Sequence, residues 1–146
     1  MRKHSRGVTL IELMTVMVIA AILASIAVPT YRSYVLRTHR TTATAALLRV
    51  QQAQEKFFLS KNVYATNLTA AVADGGLGIP SVTDNGEFYD LTLDPATPTA
   101  YTVHAKARAA TKQTDDTRCA EFTINQDGKR TATSSTGTDT TTECWR

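Results

Sequence analysis

Arg6-Gly7-Val8-Thr9-Leu10-Ile11-Glu12-Leu13 joins a short basic leader to a long apolar run, and this junction decides how the chain is organised. From Val8 to Val28 there are 21 residues, and only Thr9, Glu12, Thr15 and Ser25 are polar. At 1.5 Å per residue, a helix over that run is about 30 Å long, enough to cross a bilayer core. Glu12 is out of place in such a helix, because a carboxylate in an apolar span costs roughly 2.5–3.5 kcal/mol on insertion scales. A plain anchor has no use for it. Glu12 is therefore a functional candidate, and its partner is the question.

The leader suggests that partner. Met1 to Gly7 carries Arg2, Lys3 and Arg6 and no acid. A secretory signal is cut after its apolar segment, next to small residues. Here the small residue, Gly7, precedes the apolar segment. A cut after Gly7 removes the bases, keeps the helix and creates a new amine on Val8, one helical turn from Glu12. Amine and acid could then meet within one chain or between staggered neighbours.

Gly7, the Thr9-Leu10-Ile11-Glu12 run and Pro29, all in register over residues 2–36, resemble the N-terminal signature of type IV pilins and type II secretion pseudopilins. The resemblance implies that a prepilin peptidase cuts between Gly7 and Val8, that Val8 is then N-methylated, and that Glu12 serves assembly. Val8 departs from the pattern, which has phenylalanine as the usual first mature residue. The fold implied is the α+β pilin fold: a long N-terminal helix, transmembrane in its first half and kinked at Pro29, packed on a C-terminal antiparallel β-sheet. The divisions are a cleaved leader (1–7), a long helix (8–59, with 8–28 in the membrane or filament core) and a globular head (60–146). The partners implied are major and minor pilin subunits, the prepilin peptidase, the membrane and the inner-membrane assembly machinery. The chain would sit in the inner membrane before assembly, with its head outside the cytoplasm, and then in an extracellular pilus.

The net charge of +3 misleads. Without Arg2, Lys3 and Arg6 the chain carries 13 bases against 13 acids. From Arg32 to Lys61 six bases face Glu55 alone, whereas from Asn62 onward seven bases face eleven acids. A basic helix with an acidic head favours complementary packing between staggered copies, although solvated faces also produce such asymmetry. Lys/Arg counts orient the span poorly, since bases flank it on both sides. Cys119 and Cys144 are the only cysteines and allow one intramolecular pairing. Closing a loop of this size is worth about 3 kcal/mol and needs an oxidising compartment, which places the head outside the cytoplasm.

Helical signals resume after Pro29. Ala43, Ala46, Leu47, Val50, Ala53 and Phe57 recur at three- and four-residue spacing, one face of an amphipathic helix. A helix from Val8 to Leu59 would measure about 78 Å, far more than a compact domain of this size needs. Its first half must be covered by lipid or by other subunits. Residues 60–86 read as a loop, punctuated by Asn62, Asn67, Gly75, Gly76, Gly78, Pro80, Asn85 and Gly86. Strand patterns follow at Phe88–Leu93, at Tyr101 to Arg108 and at Ala120–Asn125, with Asp127-Gly128 as a hairpin turn into Lys129–Thr133. Residues 131–142 hold nine Ser or Thr and read as an exposed loop before Glu143-Cys144-Trp145. The Cys-Trp ending and the Tyr64–Leu68 stretch resemble PilE-type minor pilins.

No catalytic constellation is present in the sequence. His4, His39 and His104 are scattered, and no Cys/His metal spacing, Walker loop or Gly-x-Ser-x-Gly turn occurs. The chain reads as a non-enzymatic structural protein with no cofactor and no metal; Asp115-Asp116 reads as a solvated turn rather than a calcium loop. The leading expectation is a minor pilin acting in pilus assembly, twitching motility and adhesion. One alternative is a DNA-uptake receptor, for which Lys106, Arg108, Lys112 and Arg118 form the one compact basic group of the head. The other is a type II secretion pseudopilin.

Overall fold

Helix α1 (Leu10–Lys61) takes up the first part of the chain in a computed structural model that describes residues 8–83, 88–94 and 97–145. The leader with Gly7, and the turn residues Asn85 and Gly86, lie outside the described residues. Thr9 caps the start of α1: its hydroxyl accepts the Glu12 N–H at 3.3 Å, and its carbonyl accepts the Leu13 N–H at 3.1 Å. Thr9-x-x-Glu12 thus has the spacing of a capping box, with the acid at the positive end of the helix dipole. The helix assignment runs through Pro29, which cannot donate to the Ser25 carbonyl. Nearby hydroxyls bond back to the helix, Ser25 to the Ile22 carbonyl and Thr30 to that of Ile26. The helix ends two residues beyond the expected Leu59. Asn62 adopts φ 57°, and its N–H reaches the Phe58 carbonyl at 2.7 Å, a left-handed stop that asparagine tolerates.

The chain forms two units, Met1–Val35 and Leu36–Arg146. In the second, the head, α1 buries Ala43, Leu47, Val50, Gln54 and Phe57. The sheet is a meander in the order β1 (Tyr89–Leu93), β2 (Thr102–Ala107), β3 (Glu121–Asn125) and β4 (Arg130–Thr133), every pair antiparallel. Register places Leu91, Ala105, Phe122 and Ala132 in one cross-strand row, and all four are buried. One face of the sheet therefore joins the helix stripe in a single core, as the period-two alternation of these strands requires.

Two polar devices were not anticipated. Gln54 sits on the apolar stripe, fully buried, and its side-chain amide brackets the backbone of Ala65: Nε2 donates to the Ala65 carbonyl (3.0 Å) and Oε1 accepts the Ala65 N–H (2.9 Å). This clamp folds the segment after α1 back onto it. The Ser/Thr-rich segment, exposed from Ser135 to Asp139 as expected, is ordered by its own hydrogen bonds. Ser134 N–H donates to Thr138, Gly137 turns at φ 82°, and Thr140 N–H returns to the Ala132 carbonyl. A short helix α2 (Thr141–Cys144) follows. Its hydroxyls replace apolar burial as the source of order: Thr141 accepts the Ala132 N–H and Thr140 donates to the Arg118 carbonyl.

Candidate functional site

In the N-terminal unit the apolar residues from Val8 to Val28 are all open to their surroundings, with exposures between 55% at Val28 and 78% at Leu10. Mean hydropathy reaches 2.5 in an 18-residue window of α1. So large an apolar surface is stable only when covered, and its length suits a bilayer or a bundle of like helices. Glu12 lies in the first turn of this surface. Its backbone N–H is capped by Thr9, and its carbonyl accepts the Thr15 hydroxyl at 2.9 Å.

In the head a buried polar network joins α1 to a 3-10 turn at Lys112–Asp115. Arg40 grips Asp116 with both arms of its guanidinium, at 2.7 and 2.8 Å. Gln113, also buried, donates to the Tyr89 hydroxyl at 2.7 Å and lies 2.9 Å from His39 Nδ1 through Oε1. The His39 ring stacks on Phe88 with centroids 3.5 Å apart. Burial, reinforced by the Asp116 carboxylate, raises the Tyr89 hydroxyl above its ordinary pKa. Asp116 is therefore not the solvated turn residue expected; it is 4% exposed and engaged by Arg40. Among the described residues no group of three His, Cys, Asp or Glu is arranged to hold a metal.

Cys119 and Cys144 form a disulfide with Cα atoms 5.8 Å apart, tying the approach to β3 to α2. Trp145 seals that end. Its indole N–H donates to the Thr131 carbonyl at 2.7 Å, its ring meets Phe122 edge-on, and the Arg130 guanidinium lies 5.3 Å from its centre.

The basic residues considered for DNA stand among acids. Lys106 is exposed on β2, and its register partners are Asp90 and Glu121. Arg108 Nε lies 3.5 Å from Asp90, Arg118 bonds Glu143 at 2.6 Å, and Lys112 opens the 3-10 turn. On the same sheet face His104 lies between two carboxylates, 2.9 Å from Asp94 and 2.6 Å from Glu121.

Comparison with known proteins gives this architecture a family. A profile described as type IV minor pilin ComP, DNA uptake sequence receptor, matches residues 29–123, and the prokaryotic N-terminal methylation motif matches residues 2–28. The type IV wide pilus major component PilA4 of Thermus thermophilus is 34% identical over 86 residues, 59% of this chain and 63% of that protein. A fimbrial protein of Pseudomonas aeruginosa is 39% identical over 67 residues, 46% of this chain and 44% of that one. The chain thus spans less than two thirds of these curated relatives' length. The head has the fold of the non-core minor pilin PilV of Neisseria meningitidis, with a TM-score of 0.52 at 19% identity over 70% of this chain and 90% of that one. With its family match over well more than half of its length, this chain belongs to the type IV pilin family.

Proposed function

We propose that the protein is a structural subunit of an extracellular type IV pilus, of the minor-pilin kind, serving assembly, twitching motility and adhesion. The observation that carries this reading is the apolar surface of Val8–Val28 with one acid in its first turn, on a chain of the pilin family. Before assembly that surface lies in the inner membrane with the head on the oxidising side, a placement the disulfide supports. The prepilin peptidase cuts after Gly7, where a glycine leaves room for a closely held backbone. Val8 is then methylated. In the filament the apolar helices surround one another, and Glu12 accepts the charged amine of an axially shifted neighbour. A paired ion is far cheaper than a lone one in so dry a core, and only one offset brings the two groups together.

The test compares the chain's share of sheared filaments with its share of the membrane fraction. Glu12→Val should leave insertion and cleavage intact and lower that ratio about tenfold; an unchanged ratio removes the assembly role. Gly7→Val should accumulate the uncut form in the membrane, and a normal mature terminus at Val8 would contradict the cleavage site.

A second reading has one observation in its favour, the family profile's description as a DNA uptake sequence receptor. Lys106, Arg108, Lys112 and Arg118 would supply the phosphate contacts. Duplex DNA retained by the full chain with a steep salt dependence supports this reading. Retention unaffected by replacing these four bases counts against it.

A further inference from the structure

The aromatic side chains of this protein sort sharply by exposure. Of five tyrosines, four phenylalanines and one tryptophan, only Tyr31 and Tyr34 are exposed, at 69% and 68%. The other three tyrosines pack in the head, where Tyr64 stacks on Phe58 and meets Tyr101 edge-on, and Tyr89 meets Phe122. Tyr31 and Tyr34 lie three and six residues beyond Val28, in the same unit as the exposed apolar surface. Their i, i+3 spacing puts them on one face of α1. Arg32 stands between them in sequence, also exposed, and no acid occurs between Glu12 and Glu55. Arg32 and Tyr34 interact within the chain as well, yet both keep an open outer surface.

The rise of the helix turns these positions into depths. With Val28 at the edge of the hydrocarbon, Tyr31 starts about 4.5 Å beyond it and Tyr34 about 9 Å beyond. The polar layer outside the core of a bilayer is about 5–8 Å deep on each side. Side chains on a helix lean back towards its N-terminus, so both rings tilt towards the span and into that layer. A phenol suits the place, its ring against the upper acyl chains and its hydroxyl among phosphates and water. A guanidinium beside it can donate to phosphate oxygens. At the other end, Glu12 lies 16 residues before Val28, about 24 Å away, and so about 6 Å inside the opposite edge of a core about 30 Å thick. The cost of an acid there draws the helix towards that side. Sinking would drag the two hydroxyls into hydrocarbon, so the tyrosines oppose the slide.

We propose that Tyr31, Arg32 and Tyr34 form a phospholipid-headgroup site that fixes the depth of α1 in the membrane and holds Glu12 inside the opposite face. The inference rests on the membrane placement of Val8–Val28 in the pilus-subunit reading. The partner is the headgroup layer on the head's side of the bilayer. Two observations select it: the site continues the apolar surface directly, and its one charge is positive in a stretch without acids, the sign that anionic phosphates attract. The site serves the subunit before assembly. Leaving the bilayer breaks these contacts, so the membrane pool waits at one depth, with Glu12 on the side of Val8.

The experiment measures depth in vesicles of phosphatidylcholine and phosphatidylglycerol holding the full chain alone, with lipids brominated at different positions along the acyl chain as quenchers. Each reporter tryptophan is read with the Trp145 signal of the parent chain subtracted. Tyr31→Trp should be quenched more by bromines near the headgroup end of the acyl chain than by those near its methyl end. Ile22→Trp, six residues before Val28, should lie about 6 Å from the midplane. Adding Tyr31→Ala and Tyr34→Ala should move that reporter towards the midplane by about 3 Å, two residues of helix. Formation of the Cys119–Cys144 bond on a non-reducing gel monitors folding of the head. An Ile22→Trp depth unchanged by the double alanine variant overturns the proposal. So does a Tyr31→Trp signal that no brominated lipid quenches, which would leave these tyrosines for contacts between subunits. Failure of brominated lipids to quench Ile22→Trp in the otherwise unaltered chain is a different result, the loss of the membrane reading itself and of this site with it.

Discussion

Removing Arg40 should be the most damaging single charge change in the head. Asp116 is 4% exposed and Arg40 17%, so the two partners are not equivalent. In Arg40→Ala the Asp116 carboxylate stays buried, helped only by the Gln113 amide at 3.3 Å. Breaking a fully buried ion pair from one side costs about 3–5 kcal/mol, and the partial access of Arg40 sets the expectation at the low end, about 3 kcal/mol. Asp116→Ala leaves an arginine that can turn towards water, so its cost should be smaller, about 1–2 kcal/mol. The assay is urea unfolding of the full chain in a mild detergent, followed by the fluorescence of Trp145, which is packed on Phe122. For a head of this size a loss of 3 kcal/mol lowers the melting temperature by roughly 10 °C. A loss below about 1 kcal/mol in Arg40→Ala, or a larger loss in Asp116→Ala, would refute the reasoning from burial.

The two buried tyrosines should respond oppositely to loss of their hydroxyls. Tyr101 is 2% exposed with a hydroxyl that has no partner among the described residues, so Tyr101→Phe should stabilise by about 1 kcal/mol, whereas Tyr89→Phe forfeits the Gln113 bond and should cost a similar amount. Burial raises both hydroxyls above their ordinary pKa, so the folded state favours the neutral phenol. That contribution is complete below pH about 10 and is lost as pH rises through the folded values, and alkaline titrations of stability should lose slope in each phenylalanine variant. Cys119→Ser and Cys144→Ser should each cost about 3 kcal/mol with the double variant no worse; additive losses in the same urea assay would mean the sulfurs act separately.

What could be read from the sequence was what periodicity carries. The apolar run from Val8, the stripe through Leu47 and Val50, and the alternation of Val103 with His104 each repeat a local pattern, so the helix and all four strands were legible to within about two residues. The buried polar groups have no such pattern. Arg40 and Asp116 are 76 residues apart, and only the closed fold brings them together. Gln54 did carry a signal: it lies four residues after Val50 and three before Phe57, on the core face, where an amide must find a partner. The Thr9-x-x-Glu12 spacing was likewise available, and it gives Glu12 a local part in starting the helix beside the assembly role proposed for it. The Ser/Thr-rich segment is the exposed loop its composition suggests from Ser135 to Asp139, and what composition does not carry is the set of hydroxyl and backbone bonds that order it.

The covalent and non-covalent ties of the head have different jobs. The disulfide closes residues 119–144 and does not include α1, so it cannot hold the helix to the sheet. That joint depends on the apolar stripe from Ala43 to Phe57 and on a polar fastening at each end of it, Arg40 and His39 with Asp116 and Gln113 at one end, Gln54 with Ala65 at the other. In the filament proposed above, load would reach each head through that joint. Loss of Arg40 therefore weakens the joint while the disulfide stays closed, and loss of the disulfide loosens the C-terminal segment while the joint holds. Hydrogen exchange should separate the two, since the amides of α1 around Ala43 and those of β4 belong to different local openings. If both changes loosened both regions equally, the head would open as one unit, and the fastenings at the ends of the helix would have no separate role.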